Sequence, residues 1–217
     1  MQKNAYLYFL TILLSGLAFK TSAQESKAKT PMIPELKINT VFLPAGMLNA
    51  AVELPIAQKW SLQGEVFVSP WKSFLGRHLQ VYMQTLEARY YFNENHDKWF
   101  IGGYFSISLF DLQKWNYWND KHVFDEDMQP VYNEDGTPRI TTLYQRGFNF
   151  IAGLDGGYKL RLNEHWALEA FLGIGTSQGF YHGYFEDDHT RYEHAENWNR
   201  SGEIIPTRGG LMLVYKW

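Results

Sequence analysis

The chain has no cysteine. That absence excludes a disulfide-stapled fold, a thiol nucleophile, a zinc–thiolate site and a lipidated-cysteine anchor. Prolines are few, 8 in 217 residues, so long strands meet little obstruction. Positive charge is not in excess. The formal net charge is −3 and the isoelectric point about 6.2, which argues against a nucleic-acid partner. What is abundant is aromatic rings, 17% of the residues, with 15 Phe, 14 Tyr and 8 Trp. An apolar content of 45% separates the chain from disordered sequences.

Residues 1–23 read as a cleaved secretory signal. Lys3 precedes an apolar run over 5–14, and small and polar residues end at Thr21-Ser22-Ala23. The run is shorter than the ~20 apolar residues of a spanning helix, and no later segment approaches one. A polar leader, residues 24–35, precedes the domain at 36–217.

Period-2 alternation then recurs, the pattern of strands with one apolar and one polar face. At 166–177, Trp166, Leu168, Ala170, Leu172 and Ile174 oppose Ala167, Glu169, Phe171, Gly173 and Gly175. At 79–92, Tyr82, Leu86, Ala88, Tyr90 and Phe92 oppose Glu87 and Arg89, with Gln84 a blemish on the apolar face. Strands at 60–69, 99–109, 148–160 and 205–217 follow the same rule, the last with Ile205 placed beside Leu211 and Leu213. Two weaker stretches, 36–43 and 47–54, bring the count to eight. These runs exceed the ~5–6 residues of ordinary strands and suit the ~9–11 of membrane-crossing ones.

The polar face carries Glu53, Glu65, Glu87, Asp155 and Glu169 beside Arg89, Lys159 and Arg208. So many charges do not suit the inside of a soluble sandwich, whereas a lipid-facing belt around an ion-paired lumen accounts for both faces. Trp60, Trp71, Trp99, Tyr158, Trp166 and Trp217 sit at strand ends, where interfacial girdles are expected. The expected fold is all-β: an eight-stranded antiparallel transmembrane β-barrel, an up-and-down meander. Short turns at 56–59, 93–98 and 163–165 would face the periplasm. Longer connections at 70–78, 111–146 and 178–203 would face outward, with a tight turn at 44–46 on that same side. The two longest hold seven acidic against four basic residues and six against two, so the acidity of the chain is concentrated in them.

Several phrases carry a resemblance: Ser69-Pro70-Trp71, Leu86-Glu87-Ala88-Arg89-Tyr90-Tyr91, Gly157-Tyr158-Lys159-Leu160, Trp166-Ala167-Leu168-Glu169-Ala170 with Gly173-Ile174-Gly175, and Pro206-Thr207-Arg208-Gly209-Gly210-Leu211 before an aromatic end. Their order and spacing over 36–217 resemble the family called domain of unknown function 3575. The resemblance implies an OmpA-like eight-stranded barrel of the outer membrane of Bacteroidota, without catalytic residues to carry over. Relatives often have cysteines in the last long loop, and this chain has none. Leu213, Tyr215 and Trp217 resemble the closing-strand signal read by the outer-membrane assembly machinery, and also suit a plain interfacial belt.

Other candidates have plainer readings. Glu87 and Arg89, two apart on one strand, suit structural ion pairing better than acid–base catalysis, because an eight-stranded interior is about filled by its own side chains. His182, His189 and His194 lie among acidic residues, but their spacing fits no metal motif. Asp125, Glu126 and Asp127 with Glu134 and Asp135 lack the order of a calcium loop. Trp115, Tyr117 and Trp118 suit a girdle or sugar stacking. No catalysis, cofactor or metal is expected. The expected partners are outer-membrane lipids and lipopolysaccharide, the assembly machinery, and an unknown extracellular partner for the loops at 111–146 and 178–203. The rival readings are a periplasmic lipocalin-like carrier of small ligands and an envelope lipid-modifying enzyme.

Overall fold

The computed structural model describes residues 33–75, 77–113, 121–122, 129–138, 140–141, 143–185, 189–191 and 198–217. The expected signal, the leader as far as residue 32, Trp115, Tyr117, Trp118, residues 125–127, 186–188, Glu193, His194 and Glu196 lie outside the described residues.

Ten strands lie along the described chain: β1 (Glu35–Asn39), β2 (Leu48–Pro55), β3 (Trp60–Phe74), β4 (Arg77–Tyr91), β5 (Lys98–Leu112), β6 (Lys121–His122), β7 (Ile140–Thr141), β8 (Leu143–Arg161), β9 (Trp166–Phe185) and β10 (Asn199–Lys216). Eight of them close into a ring in the order β1-β10-β9-β8-β5-β4-β3-β2, every neighbour antiparallel. The remaining two, β6 and β7, pair with each other as a small ribbon. No helix among the described residues is long and apolar enough to cross a membrane, which says nothing about crossing by strands.

The ladder continues where the apolar pattern fades. β9 stays paired with β8 as far as Phe185↔Leu143, so much of 178–203 is strand, not loop. The stretch at 70–78 is mostly strand as well, turning between Phe74 and Arg77. Pro70 does not break β3, because β2 ends its pairing at Leu48↔Val68 and leaves β3 an edge strand above that point. A missing N–H costs little on an edge.

β1 is shorter than its expected 36–43. Pro44 opens a 3-10 turn at Leu43–Ala45, and Gly46 closes it at φ 66°, a conformation glycine adopts without a Cβ clash. β1 also begins one residue early, at Glu35. At the opposite end of the ring the turns are tight. Asn163 caps one, its Oδ1 accepting the backbone N–H of His165 at 2.9 Å and of Trp166 at 2.8 Å, an Asx turn.

The faces sort sharply. Outside, large apolar residues are solvent-accessible, among them Leu154 at 69% and Leu172 at 68%. Inside lie the charges, the small residues and a cluster of buried apolar side chains that includes Tyr91, Phe100, Phe171, Met212 and Val214. The placement of Ile205 on the outer face is corrected. A β-bulge between Pro206 and Arg208 shifts the register of β10, so Ile205 lines the interior and Ile204, 79% exposed, points out. One inserted residue reverses the parity of the strand.

Candidate functional site

The half of the lumen nearer the short turns is filled by an ion-pair network contributed by seven of the ring's strands, all but β5. Period-2 geometry delivers it: alternate residues point inward, and closure brings opposite walls within side-chain reach. On β2, Glu53 receives the ammonium of Lys159 at 3.0 Å and the phenol O–H of Tyr91 at 3.0 Å, and it is ion-paired with Lys37. Ser61 on β3 donates its hydroxyl to the same carboxylate at 2.5 Å. On β9, Glu169 receives Lys37 at 2.6 Å and Arg89 at 2.6 Å. Lys159 also reaches Glu35 at 2.7 Å.

A second knot sits around Arg208 on β10. Its Nη1 donates to Glu87 at 2.6 Å and to Asp155 at 2.8 Å, and its Nη2 pairs with Glu65. Glu87 joins the two knots, because Arg89 donates to it through both Nε and Nη2. The eight charged residues singled out on the polar face are thus brought together, all of them buried.

Rings close the space between the charges. The guanidinium of Arg89 lies 4.3 Å from the centre of Phe100, and that of Arg208 lies 4.9 Å from Tyr104 and 5.0 Å from Phe171. Such cation–π contacts strengthen once water is excluded. Gly102 is placed where a Cβ would meet Asp155 and Glu87, so the knot requires glycine there.

Four members were missed from sequence: Glu35, Lys37, Ser61 and Tyr91. Glu35 was assigned to the leader, and Lys37 sits on a strand of only five residues, too short for alternation to stand out. Tyr91 follows Tyr90, and only the register decides which ring turns inward. The signal available was parity with Glu87 and Arg89.

Of the aromatic candidates, Trp60, Trp99, Tyr158, Trp166 and Trp217 gather at the short-turn rim. Trp60 contacts Tyr90 with ring centres 5.2 Å apart, Trp99 contacts Tyr158 at 5.1 Å, and Tyr215 lies 4.9 Å from Trp166 and 5.7 Å from Trp217. Leu213 shares the outer face of β10 with Tyr215. Trp71 stands at the other end, donating its indole N–H to the Ala45 carbonyl at 2.8 Å, so it fastens the turn after β1 to β3.

His182 and His189 do not converge. His182 Nδ1 faces Arg191 at 2.8 Å and its ring stacks on Trp198, while His189 Nδ1 faces the Tyr144 hydroxyl at 3.2 Å. Among the described residues no group of three histidines or carboxylates is arranged to hold a metal ion. In the exposed hairpin near Glu134, Asp135 accepts the backbone N–H of Thr137 at 2.9 Å and its hydroxyl at 2.5 Å. Those bonds hold its carboxyl below the usual range, the side-chain bond contributing most.

Residues 9–217 match the family described as protein of unknown function, DUF3575. The chain belongs to the DUF3575 family. No curated protein and no solved structure matches it. DUF3575 membership attaches no reaction to the lumen.

Above the network, toward the longer connections, this DUF3575 chain is not filled. A cavity of about 320 Å³ remains, with Glu65 and Arg208 among its lining residues. The expectation of a lumen packed throughout holds only for the lower half.

Proposed function

We propose that the protein is an integral outer-membrane β-barrel, exported after cleavage of residues 1–23, whose closed lumen makes it a scaffold for the outward segments and not a pore or an enzyme. One observation carries this reading: the ring is inside-out relative to a water-soluble protein. Arg89, Lys37, Lys159, Glu53, Glu87 and Glu169 are buried, while Leu86, Ile101, Leu154, Leu172 and Ile174 are exposed. Burying ions costs free energy even when they are paired, and exposing an apolar belt to water costs free energy as well. Lipid around the ring relieves the second cost.

The height agrees. The outward apolar positions of β5 run from Trp99 to Leu109, which at ~3.4 Å per residue is about 34 Å of strand, or about 25 Å along the axis of a ring tilted ~40°. That is the height of a lipid-facing band, ~25 Å. The aromatic rim through Trp60, Trp99, Tyr158, Trp166 and Trp217 supports the same reading as a girdle at the periplasmic interface. Leu213, Tyr215 and Trp217 would then serve as the assembly signal, and the acidic segments within 111–146 and 178–203 would face outside, toward lipopolysaccharide and an extracellular partner. A lipocalin-like carrier needs the apolar face inward, and the charges occupy that side.

The test is cell fractionation followed by gel electrophoresis with and without boiling. Outer-membrane residence and a heat-dependent change in migration are expected. A soluble periplasmic protein with no change in migration would overturn the reading.

A further inference from the structure

The ring has a notch. β1 has 5 residues and β2 has 8, while their neighbours β10 and β3 have 18 and 15. Above the last pairs, Asn39↔Met212 on one side and Leu48↔Val68 on the other, β10 and β3 have no strand between them among the described residues. Both free edges carry a proline, Pro206 and Pro70, the residue that blunts an edge against strand addition. The sill is the turn after β1, and its Phe42 packs edge-on against Phe67 with ring centres 5.2 Å apart.

The cavity lies against this notch. Phe42, Phe67, Ile205 and Gly209 from the notch's flanks line it together with Val81 and Met83 from β4, next to β3, and Phe110 from β5 on the far wall. Outside, β9 and β10 present Leu172, Ile174 and Ile204, all exposed, so the notch adjoins apolar surface. Among the described residues, two lining side chains at opposite ends of the cavity keep buried donors without an acceptor: Arg208 Nε beside Asp155 and, ten residues along β8, Gln145 Nε2. Arg208 is 8% exposed and Gln145 3%. A buried donor left without a partner is costly, so Arg208 would gain from an acceptor oxygen on a ligand.

The charge around Arg208 decides the class of that ligand. Its guanidinium already serves Glu65, Glu87 and Asp155, so an anionic head would bring a further negative charge beside three carboxylates. A cationic head would leave the free Arg208 donor unanswered. We propose that the cavity binds one single-chain amphiphile with a neutral, oxygen-bearing head, such as an acyl ester of glycerol. The apolar part of the lining takes the chain, and Arg208 donates its free Nε–H to a head oxygen. The volume lies at the lower end of the ~300–1,000 Å³ range of small-molecule pockets, enough for one chain and not for a two-chain phospholipid. Access through the notch rests on the outer-membrane reading; the cavity itself does not.

The experiment is equilibrium binding of radiolabelled monolaurin to the protein in phosphatidylcholine nanodiscs, with empty discs subtracted. Saturable uptake of about one molecule per chain is expected. Val81→Trp, which fills the cavity, should abolish it, with Met83→Trp as the second variant if the first fails to fold. Arg208→Lys, which keeps a cation beside the carboxylates and removes the Nε donor, should weaken binding roughly three- to tenfold, the size of one hydrogen bond. Laurate and dodecyltrimethylammonium should compete at least about tenfold less well than unlabelled monolaurin. Heat-dependent migration of the disc-bound protein reports insertion separately. A folded, inserted ring with no saturable uptake overturns the proposal and leaves the outer-membrane reading standing. So does uptake that the filled variants retain, or equal competition by the charged analogues.

Discussion

Lys159 on β8 and Glu53 on β2 stand four strands apart in either direction around the ring, on opposite walls, and their side chains meet at 3.0 Å. The bond spans the bore. Replacing Lys159 with methionine leaves Glu35 and Glu53 short of a cation, and breaking a buried pair from one side costs about 3–5 kcal/mol. The urea midpoint of the heat-dependent gel shift should fall accordingly. Adding Glu53→Gln should recover part of the loss, because the uncompensated charge is then gone.

The outer face separates lipid from water. Leu154→Arg and Leu172→Arg change residues that are more than half exposed. In a soluble protein such changes stay within about 0.5 kcal/mol. In a bilayer an arginine near the midplane costs about 2–4 kcal/mol. Folding into lipid vesicles should show the larger loss, and near-neutral values for both would count against the belt.

The network closes the lumen at Arg89 and Glu169, paired at 2.6 Å. In planar bilayers the protein should therefore give no steady ionic steps. A regular conductance would mean that the knot opens, and would turn attention to transport.

Gly102 and Gly64 make a paired test of packing. A Cβ on Gly102 meets Asp155 and Glu87, while one on Gly64 meets nothing within 4 Å. Gly102→Ala should destabilise by about 1–3 kcal/mol, the cost of forcing atoms into a full interior. Gly64→Ala should be neutral or mildly stabilising by the same unfolding assay.

Much of this arrangement is legible in the sequence because a period of 2 fixes which face a residue takes. Glu87, Arg89, Asp155 and Glu169 follow from parity alone. Their partners do not, because pairing across the bore depends on closure and register: nothing local joins Lys37 to Glu169, 132 positions away. Ile205 was misplaced because a bulge at Thr207 has no signature in apolar periodicity. Strand length escaped as well. Gln178 and Gly179 end the apolar alternation, but backbone hydrogen bonds do not need apolar side chains, so the ladder continues past them. The cavity was illegible for the same reasons, since it depends on where two short strands stop.

β1 joins β10 through five pairs, from Glu35↔Lys216 to Asn39↔Met212, and these partners stand at opposite ends of the described chain. Every other contact in the ring forms between segments closer in sequence, so the meander can zip hairpin by hairpin, and the seam closes only when the last strand has arrived. Closing so long a loop carries the largest chain-entropy cost in the fold. The five-pair ladder is supplemented there by Lys37 reaching Glu169 and Lys159 reaching Glu35, at 2.6 and 2.7 Å. The ion pairs thus act as the latch of the folding reaction, and weakening them should slow the final step more than the formation of any single hairpin.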